Sequence, residues 1–286
     1  MPATSLELTT SDHSRDAVGL TYVYPVVSRR AGGVSVGINL NPNNACNWRC
    51  IYCQVPGLKR GSAPEVDSPK LEQELRGFLR ELLFGRFMQD SVPEGSRRLN
   101  DIALSGNGEP TSAREFAQVI ELLGRVMAEF ELVGKIKLVL ITNGSLMHRG
   151  YVQEGLQKMA MLNGEVWFKV DSATPEGLRV INGTRTSVAK MYDHLCTAAS
   201  LCPTWLQTCV FALDGQPPPV SERQAYLAFI GRLVGEAVPI KGVLLYGLAR
   251  PSMQPEALRL TALPEGWLED FAGEIRGVGL PAKLSL

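Results

Sequence analysis

The sequence lacks any charge excess: Lys and Arg total 29, Asp and Glu total 29, and the net charge is zero. A chain that grips nucleic-acid phosphates over a broad face carries a basic surplus, and this one has none. It also lacks a run of ~20 apolar residues of the kind that spans a bilayer. The stretch Met1 to Leu20 has no apolar segment typical of a secretory signal, so the expected compartment is cytoplasmic and no membrane partner is expected. Internal repeats and low-complexity tracts are missing as well. Histidine is scarce, with only His13, His148 and His194, none of them in a paired ligand motif. What remains is ordinary for a globular protein: 286 residues, 45% hydrophobic and 20% charged, long enough to bury a core without disulfides.

Six cysteines are present, at 46, 50, 53, 196, 202 and 209. In a reducing compartment they are not expected to pair. Three of them fall within eight residues, in Cys46-Asn47-Trp48-Arg49-Cys50-Ile51-Tyr52-Cys53, a C-x3-C-x2-C spacing on a polar, Asn-rich loop. Buried free cysteine is common in cores, but this crowding on a loop points to a metal centre. A four-iron cluster held by three thiolates leaves one iron open to another ligand. A zinc site completed by a distant histidine is the rival metal reading. Cys196 lies in a helical pattern and Cys209 in a strand pattern, and their spacing with Cys202 is too wide for a compact metal knuckle. All three read as packing.

Six short apolar runs alternate with amphipathic helical patterns. The runs are Val34 to Leu40, Asp101 to Leu104, Lys137 to Ile141, Val166 to Val170, Leu206 to Leu213 and Gly242 to Tyr246. Near-continuous apolarity marks strands covered on both faces, and β-then-α repetition implies a parallel sheet. Helical stripes follow at Leu71 to Leu83, Phe116 to Met127, Val188 to Ala199, Leu227 to Val234 and Leu268 to Ile275, with a weaker pattern over 149–160. Ser112 with Glu115, and Ser221 with Gln224, have the spacing of capping boxes. The division expected is an N-terminal extension over 1–33, a core over 34–251 and a C-terminal helical extension over 252–286 packed on that core.

In parallel α/β folds chemistry gathers at the C-terminal ends of the strands. The first run leads into the cysteine loop. The second leads into Ser105-Gly106-Asn107-Gly108-Glu109-Pro110-Thr111, and the third into Thr142-Asn143-Gly144. The fourth ends in Lys169-Val170-Asp171-Ser172, where buried charges need partners or a ligand. The sixth ends near Arg250.

The C-x3-C-x2-C loop, with Tyr52 just before its last cysteine, resembles the radical SAM superfamily. The resemblance implies an α/β fold, a (β/α)6 partial TIM barrel with parallel strands. It implies a [4Fe-4S] cluster on Cys46, Cys50 and Cys53, and S-adenosyl-L-methionine (SAM) chelating the open iron. Reductive cleavage would then give a 5′-deoxyadenosyl radical that abstracts hydrogen from a substrate. By the same resemblance Tyr52, Gly106, Gly108, Glu109, Thr142, Asn143, Lys169, Asp171 and Ser172 are the SAM-binding candidates. The Gly108-Glu109-Pro110 triplet stands where the family holds the SAM amino group. A small electron donor such as flavodoxin or ferredoxin is the implied partner.

The phrases Ser-Gly-Asn-Gly-Glu-Pro-Thr, Ile-Thr-Asn-Gly and Phe-Lys-Val-Asp-Ser-Ala-Thr-Pro-Glu are similar to the wyosine-base synthase branch. That branch modifies a tRNA guanine with pyruvate through a lysine Schiff base. Arg29, Arg30, Arg49, Lys59 and Arg60 form a local basic patch that an RNA could use, although zero net charge disfavours tRNA as partner. A non-catalytic iron–sulfur electron-transfer or sensor protein is the alternative from another class.

Overall fold

The computed structural model describes residue 8, residues 18–28 and residues 32–285. His13, Arg29 and Arg30 lie outside the described residues. Eight strands make one sheet: β1 (Val23–Ser28), β2 (Gly33–Ile38), β3 (Leu99–Leu104), β4 (Lys137–Thr142), β5 (Gly164–Lys169), β6 (Thr204–Val210), β7 (Ile240–Gly247) and β8 (Ala282–Ser285). They lie side by side in chain order. β1 runs antiparallel to β2, from Val23 opposite Ile38 to Ser28 opposite Gly33. Every other neighbouring pair is parallel.

The six expected runs are β2 to β7. Two edge strands extend them. β1 arises from the segment expected as an N-terminal extension. β8 arises from the C-terminal segment expected to be helical.

Six helices of three or more turns separate the strands or follow them: α1 (Ser68–Phe84), α2 (Phe116–Glu129), α3 (Gly150–Met161), α4 (Val188–Leu201), α5 (Val220–Gly235) and α6 (Glu265–Gly277). In α1, Leu71, Leu75, Leu79 and Leu82 recur at helical spacing and are buried. Each such Leu contributes about 1.5–3 kcal/mol by leaving water. Asp67 caps this helix, accepting from the Lys70 N–H at 3.0 Å, and Ser187 caps α4 through the Lys190 N–H at 3.2 Å. The apolar faces of the helices join the strands in one core. Among the described residues no helix is long and apolar enough to cross a membrane.

Both expected capping boxes are corrected. α2 begins at Phe116 with Glu115 at its cap position and no side-chain cap. Ser112 instead ends the turn Pro110–Ser112, where its Oγ donates to Glu109 O at 2.7 Å and accepts from the Ala63 N–H at 2.9 Å. α5 begins at Val220 behind Pro219, also without a side-chain cap. Its inward face is Tyr226, Phe229, Ile230 and Leu233, while Val234 turns to solvent.

Candidate functional site

Residues from β1 to β7 line a single cavity of about 310 Å³, so the sheet curves around it. The cysteine loop leaves the C-terminal end of β2 and closes one side. Cys46, Cys50 and Cys53 all reach the cavity and all are half-buried free thiols. Burial, followed by the Glu109 carboxylate, pushes the Cys46 thiol up to about 12. Burial does the same to Cys50, against the opposing charge of Lys169. Both are therefore protonated when free, and a metal that binds them must displace protons.

Among the described residues, no three His, Cys, Asp or Glu side chains gather tightly enough for one metal ion. A cluster makes a different demand, since its cysteines bind separate irons and stand apart around it. Three thiols on one cavity wall fit that demand. His148 and His194 do not line the cavity. They stack on each other with centroids 5.2 Å apart, and His194 Nδ1 bonds Gly144 O at 2.8 Å.

Asparagines fix the loop's shape. Asn41 Nδ2 donates to Ala45 O at 2.9 Å. Asn107 Nδ2 donates to Asn44 Oδ1 at 2.6 Å, and Asn143 Nδ2 to Asn47 Oδ1 at 2.8 Å. The loop is thus tied to the turns that follow β3 and β4. The first of these turns needs its glycines. Gly106 has φ +137°, a conformation that side chains other than hydrogen resist. A Cβ on Gly108 would run into Ala45 O and the Asn41 amide.

The Glu109 carboxyl is almost fully buried at the cavity. Its Oε1 accepts from the Thr111 N–H at 3.1 Å and from Thr142 Oγ1 at 2.6 Å. Its Oε2 accepts one bond, from the Asn143 N–H at 2.7 Å. Burial raises its pKa, and these donors offset only part of that rise. A carboxylate oxygen has room for a second donor, so Oε2 suits a ligand ammonium.

Tyr52 and Lys169 at the cavity form a chain with Asp171 behind them. Lys169 Nζ donates to Tyr52 Oη at 2.7 Å, and Tyr52 Oη donates to Asp171 Oδ2 at 2.5 Å. Asn182 Nδ2 donates to the same oxygen at 2.6 Å and lies 3.3 Å from Cys50 Sγ. Asp171 Oδ1 takes the Cys209 N–H at 2.9 Å. Burial pulls the Lys169 ammonium down, but Asp171 and the other groups around it outweigh that, and its pKa ends above the usual lysine value.

Of the nine SAM-binding candidates, Tyr52, Gly106, Gly108, Glu109, Thr142, Asn143 and Lys169 line the cavity with the three cysteines. Asp171 and Ser172 do not. Both face a second cavity of about 590 Å³, where Ser172 Oγ donates to Glu222 Oε2 at 2.8 Å. Of the described members of the basic patch, Arg49 and Arg60 have internal partners. Arg49 makes a bidentate pair with Glu256 at 2.8–2.9 Å, and Arg60 donates to the Asn47 and Gly183 carbonyls. Arg250 lines the cavity. Cys202 and Cys209 are buried and Cys196 is half-buried, and Cys209 also reaches the cysteine cavity.

Several residues that shape the site carried no signal in the sequence. Asn182 follows a short helix, Pro175–Ile181. Ser252 and Gln254 clamp the far end of the cysteine loop, donating to Ile51 O at 2.7 Å and Val55 O at 2.9 Å. Asp101 and Gln207 sit inside apolar runs yet line the cavity.

No family model matches the chain. Over 132 residues it is 28% identical to the GTPase Obg of Brachyspira hyodysenteriae, covering 46% of this chain and 17% of that one. Over 162 residues it is 30% identical to a UPF0026 protein of Synechocystis sp., covering 56% of this chain and 52% of that one. The chain thus spans about half or less of these relatives. Among solved structures it resembles a radical SAM methyltransferase from Sphaerobacter thermophilus, with TM-score 0.61 and 13% identity, covering 99% of this chain and 78% of that one. It also resembles TYW1 with a lysine-pyruvate adduct bound, with TM-score 0.56 and 14% identity, covering 87% of this chain and 74% of that one. The chain has the fold of radical SAM enzymes, the TYW1 branch included.

Proposed function

We propose that the protein is a radical SAM enzyme whose core is a partial barrel. The observation that carries this is the convergence of Cys46, Cys50, Cys53 and Glu109 on one cavity at the C-terminal ends of the strands. Cys46, Cys50 and Cys53 would hold a [4Fe-4S] cluster. When bound and reduced, such a cluster supplies the electron that splits SAM into methionine and a 5′-deoxyadenosyl radical, which takes hydrogen from a substrate.

The chain's own residues have definable tasks. Glu109 Oε2 accepts an ammonium N–H of SAM, while Thr111, Thr142 and the Asn143 N–H hold the carboxyl group in place. Gly106 and Gly108 let the backbone come close to the ligand. Thr142 and Asn143 would face the SAM ribose. Lys169 offers a positive charge to the SAM carboxylate from a position set by Tyr52 and Asp171. Asp171 acts through Tyr52 and Lys169, which makes it a positioning residue, and Ser172 braces Glu222 instead of touching the cofactor. Asn182 donates toward Cys50 Sγ, and such hydrogen bonds tune a cluster's potential.

A reductant such as flavodoxin or ferredoxin would deliver the electron. A wyosine-type condensation is the weaker reading. A lysine that forms a Schiff base must lose its proton, and Lys169 is held as an ammonium by Asp171. Release of 5′-deoxyadenosine from the reduced, cluster-loaded protein tests the proposal.

A further inference from the structure

The second cavity, of about 590 Å³, has no part in holding a cluster or SAM. Its size is that of a small-molecule site. The short helix Pro175–Ile181, the start of α5, and the end of β6 with the loop behind it enclose the space. Val180, Ile181, Phe211, Leu213, Tyr226 and Phe271 give it a largely apolar lining, and the rings of Tyr226 and Phe271 lie 5.6 Å apart. The charged side chains that reach this cavity are Asp171, Glu176, Glu222 and Arg223. All but one have a partner of opposite charge. Asp171 faces Lys169 at 3.9 Å, Glu176 pairs with Arg179 at 2.5 Å, and Arg223 pairs with Glu274 at 2.5 Å.

Glu222 is the exception. Among the described residues its carboxylate has only hydroxyl partners, Ser172 Oγ donating to Oε2 at 2.8 Å and Thr174 Oγ1 to Oε1. Each oxygen has room for a second donor. Gly177 of the short helix lies so close that a Cβ there would meet Ser172 Oγ and Glu222 Oε2. Tyr226 follows Glu222 by one turn of α5, on the same helix face. The carboxylate therefore stands where the short helix meets α5, beside the aromatic pair.

We propose that this cavity is a binding site for a small protonated amine with an apolar body. The ammonium sits on Glu222 and the body packs against Val180, Phe211 and Leu213. The inference goes beyond the radical SAM reading and does not depend on it. The chemistry is specific. An ammonium supplies the missing positive charge and a hydrogen bond stronger than a neutral group can make. An aromatic ring nearby favours a cation further, and the body gains by leaving water.

The probes are phenethylammonium and its neutral counterpart phenethyl alcohol, titrated calorimetrically into the cluster-loaded protein at neutral pH. The ammonium should bind at least about tenfold more tightly, the discrimination expected of a charge-assisted hydrogen bond. Glu222→Gln should abolish that preference. Val180→Trp, which fills the cavity from a half-buried position on the short helix, should weaken ammonium binding at least about fivefold, a loss of about 1 kcal/mol. Equal binding of the two probes, no binding of either, an unchanged preference in Glu222→Gln, or undiminished binding in Val180→Trp would overturn the proposal. Should Glu222→Gln not fold, Val180→Trp and the comparison of the two probes still decide it.

Discussion

Tyr52 Oη donates to Asp171 Oδ2 at 2.5 Å while accepting from Lys169 Nζ at 2.7 Å. One phenol thereby joins the cysteine loop to the end of β5. Tyr52→Phe removes both bonds and leaves a buried ammonium with one partner fewer. Urea unfolding should show a loss of about 1–3 kcal/mol. An unchanged midpoint and slope would show that the phenol is dispensable to the loop.

The Asn182 amide, 3.3 Å from Cys50 Sγ, stabilises negative charge on that sulfur. The reduced cluster carries more of this charge than the oxidised one. Asn182→Leu should therefore move the cluster's reduction potential to a more negative value, read by a redox titration followed by electron paramagnetic resonance. A shift in the positive direction would contradict the assigned role.

The Glu109 carboxylate is proposed to pair with the SAM ammonium. Glu109→Gln keeps its shape and removes its charge. The rate of 5′-deoxyadenosine formation at low SAM should fall by about 10- to 150-fold, the worth of one hydrogen bond to a charged group. Iron content should stay at the wild-type level. Wild-type kinetics at low SAM would remove Glu109 from the cofactor site.

The pH dependence of stability follows from Asp101. Burial lifts its pKa from 3.8 to about 6 in the folded chain. Between those values the folded state holds the extra proton, so this group's contribution to stability is complete below pH 4 and is lost as pH rises through 6. Asp101→Asn has no such term. Relative to the wild type it should gain up to about 3 kcal/mol between pH 4 and pH 7, from a shift of about two units. Parallel stability curves for the two proteins would contradict the burial argument.

The strands of the sheet's centre were legible because each carries a near-continuous apolar run, as burial on both faces favours. β8 was not legible. Ala282–Ser285 is four residues with a lysine among them, and only its register beside β7 identifies it. The spacing of Ser112 and Glu115 suggested a cap, but Glu109 and Ala63 claim the Ser112 hydroxyl. Tertiary partners overrode the local pattern there. The cysteines, Glu109 and Asn143 stood out because they cluster on short polar segments behind apolar strands. Asp101 and Gln207 could not stand out, since a lone polar residue inside an apolar run looks the same whether it faces a cavity or pairs with a neighbour. Asp171 and Ser172 follow Lys169 by two and three residues but line the other cavity instead of the cysteine cavity.

The central claim is that the three loop cysteines hold a cluster that drives SAM cleavage. The most direct measurement is anaerobic reconstitution with iron and sulfide, then dithionite reduction with SAM and assay for 5′-deoxyadenosine, beside a Cys50→Ala variant. The account predicts about four irons per chain, formation of 5′-deoxyadenosine, and loss of that product in Cys50→Ala. A fully loaded cluster that binds SAM yet releases no 5′-deoxyadenosine, or product formation undiminished in Cys50→Ala, would contradict it.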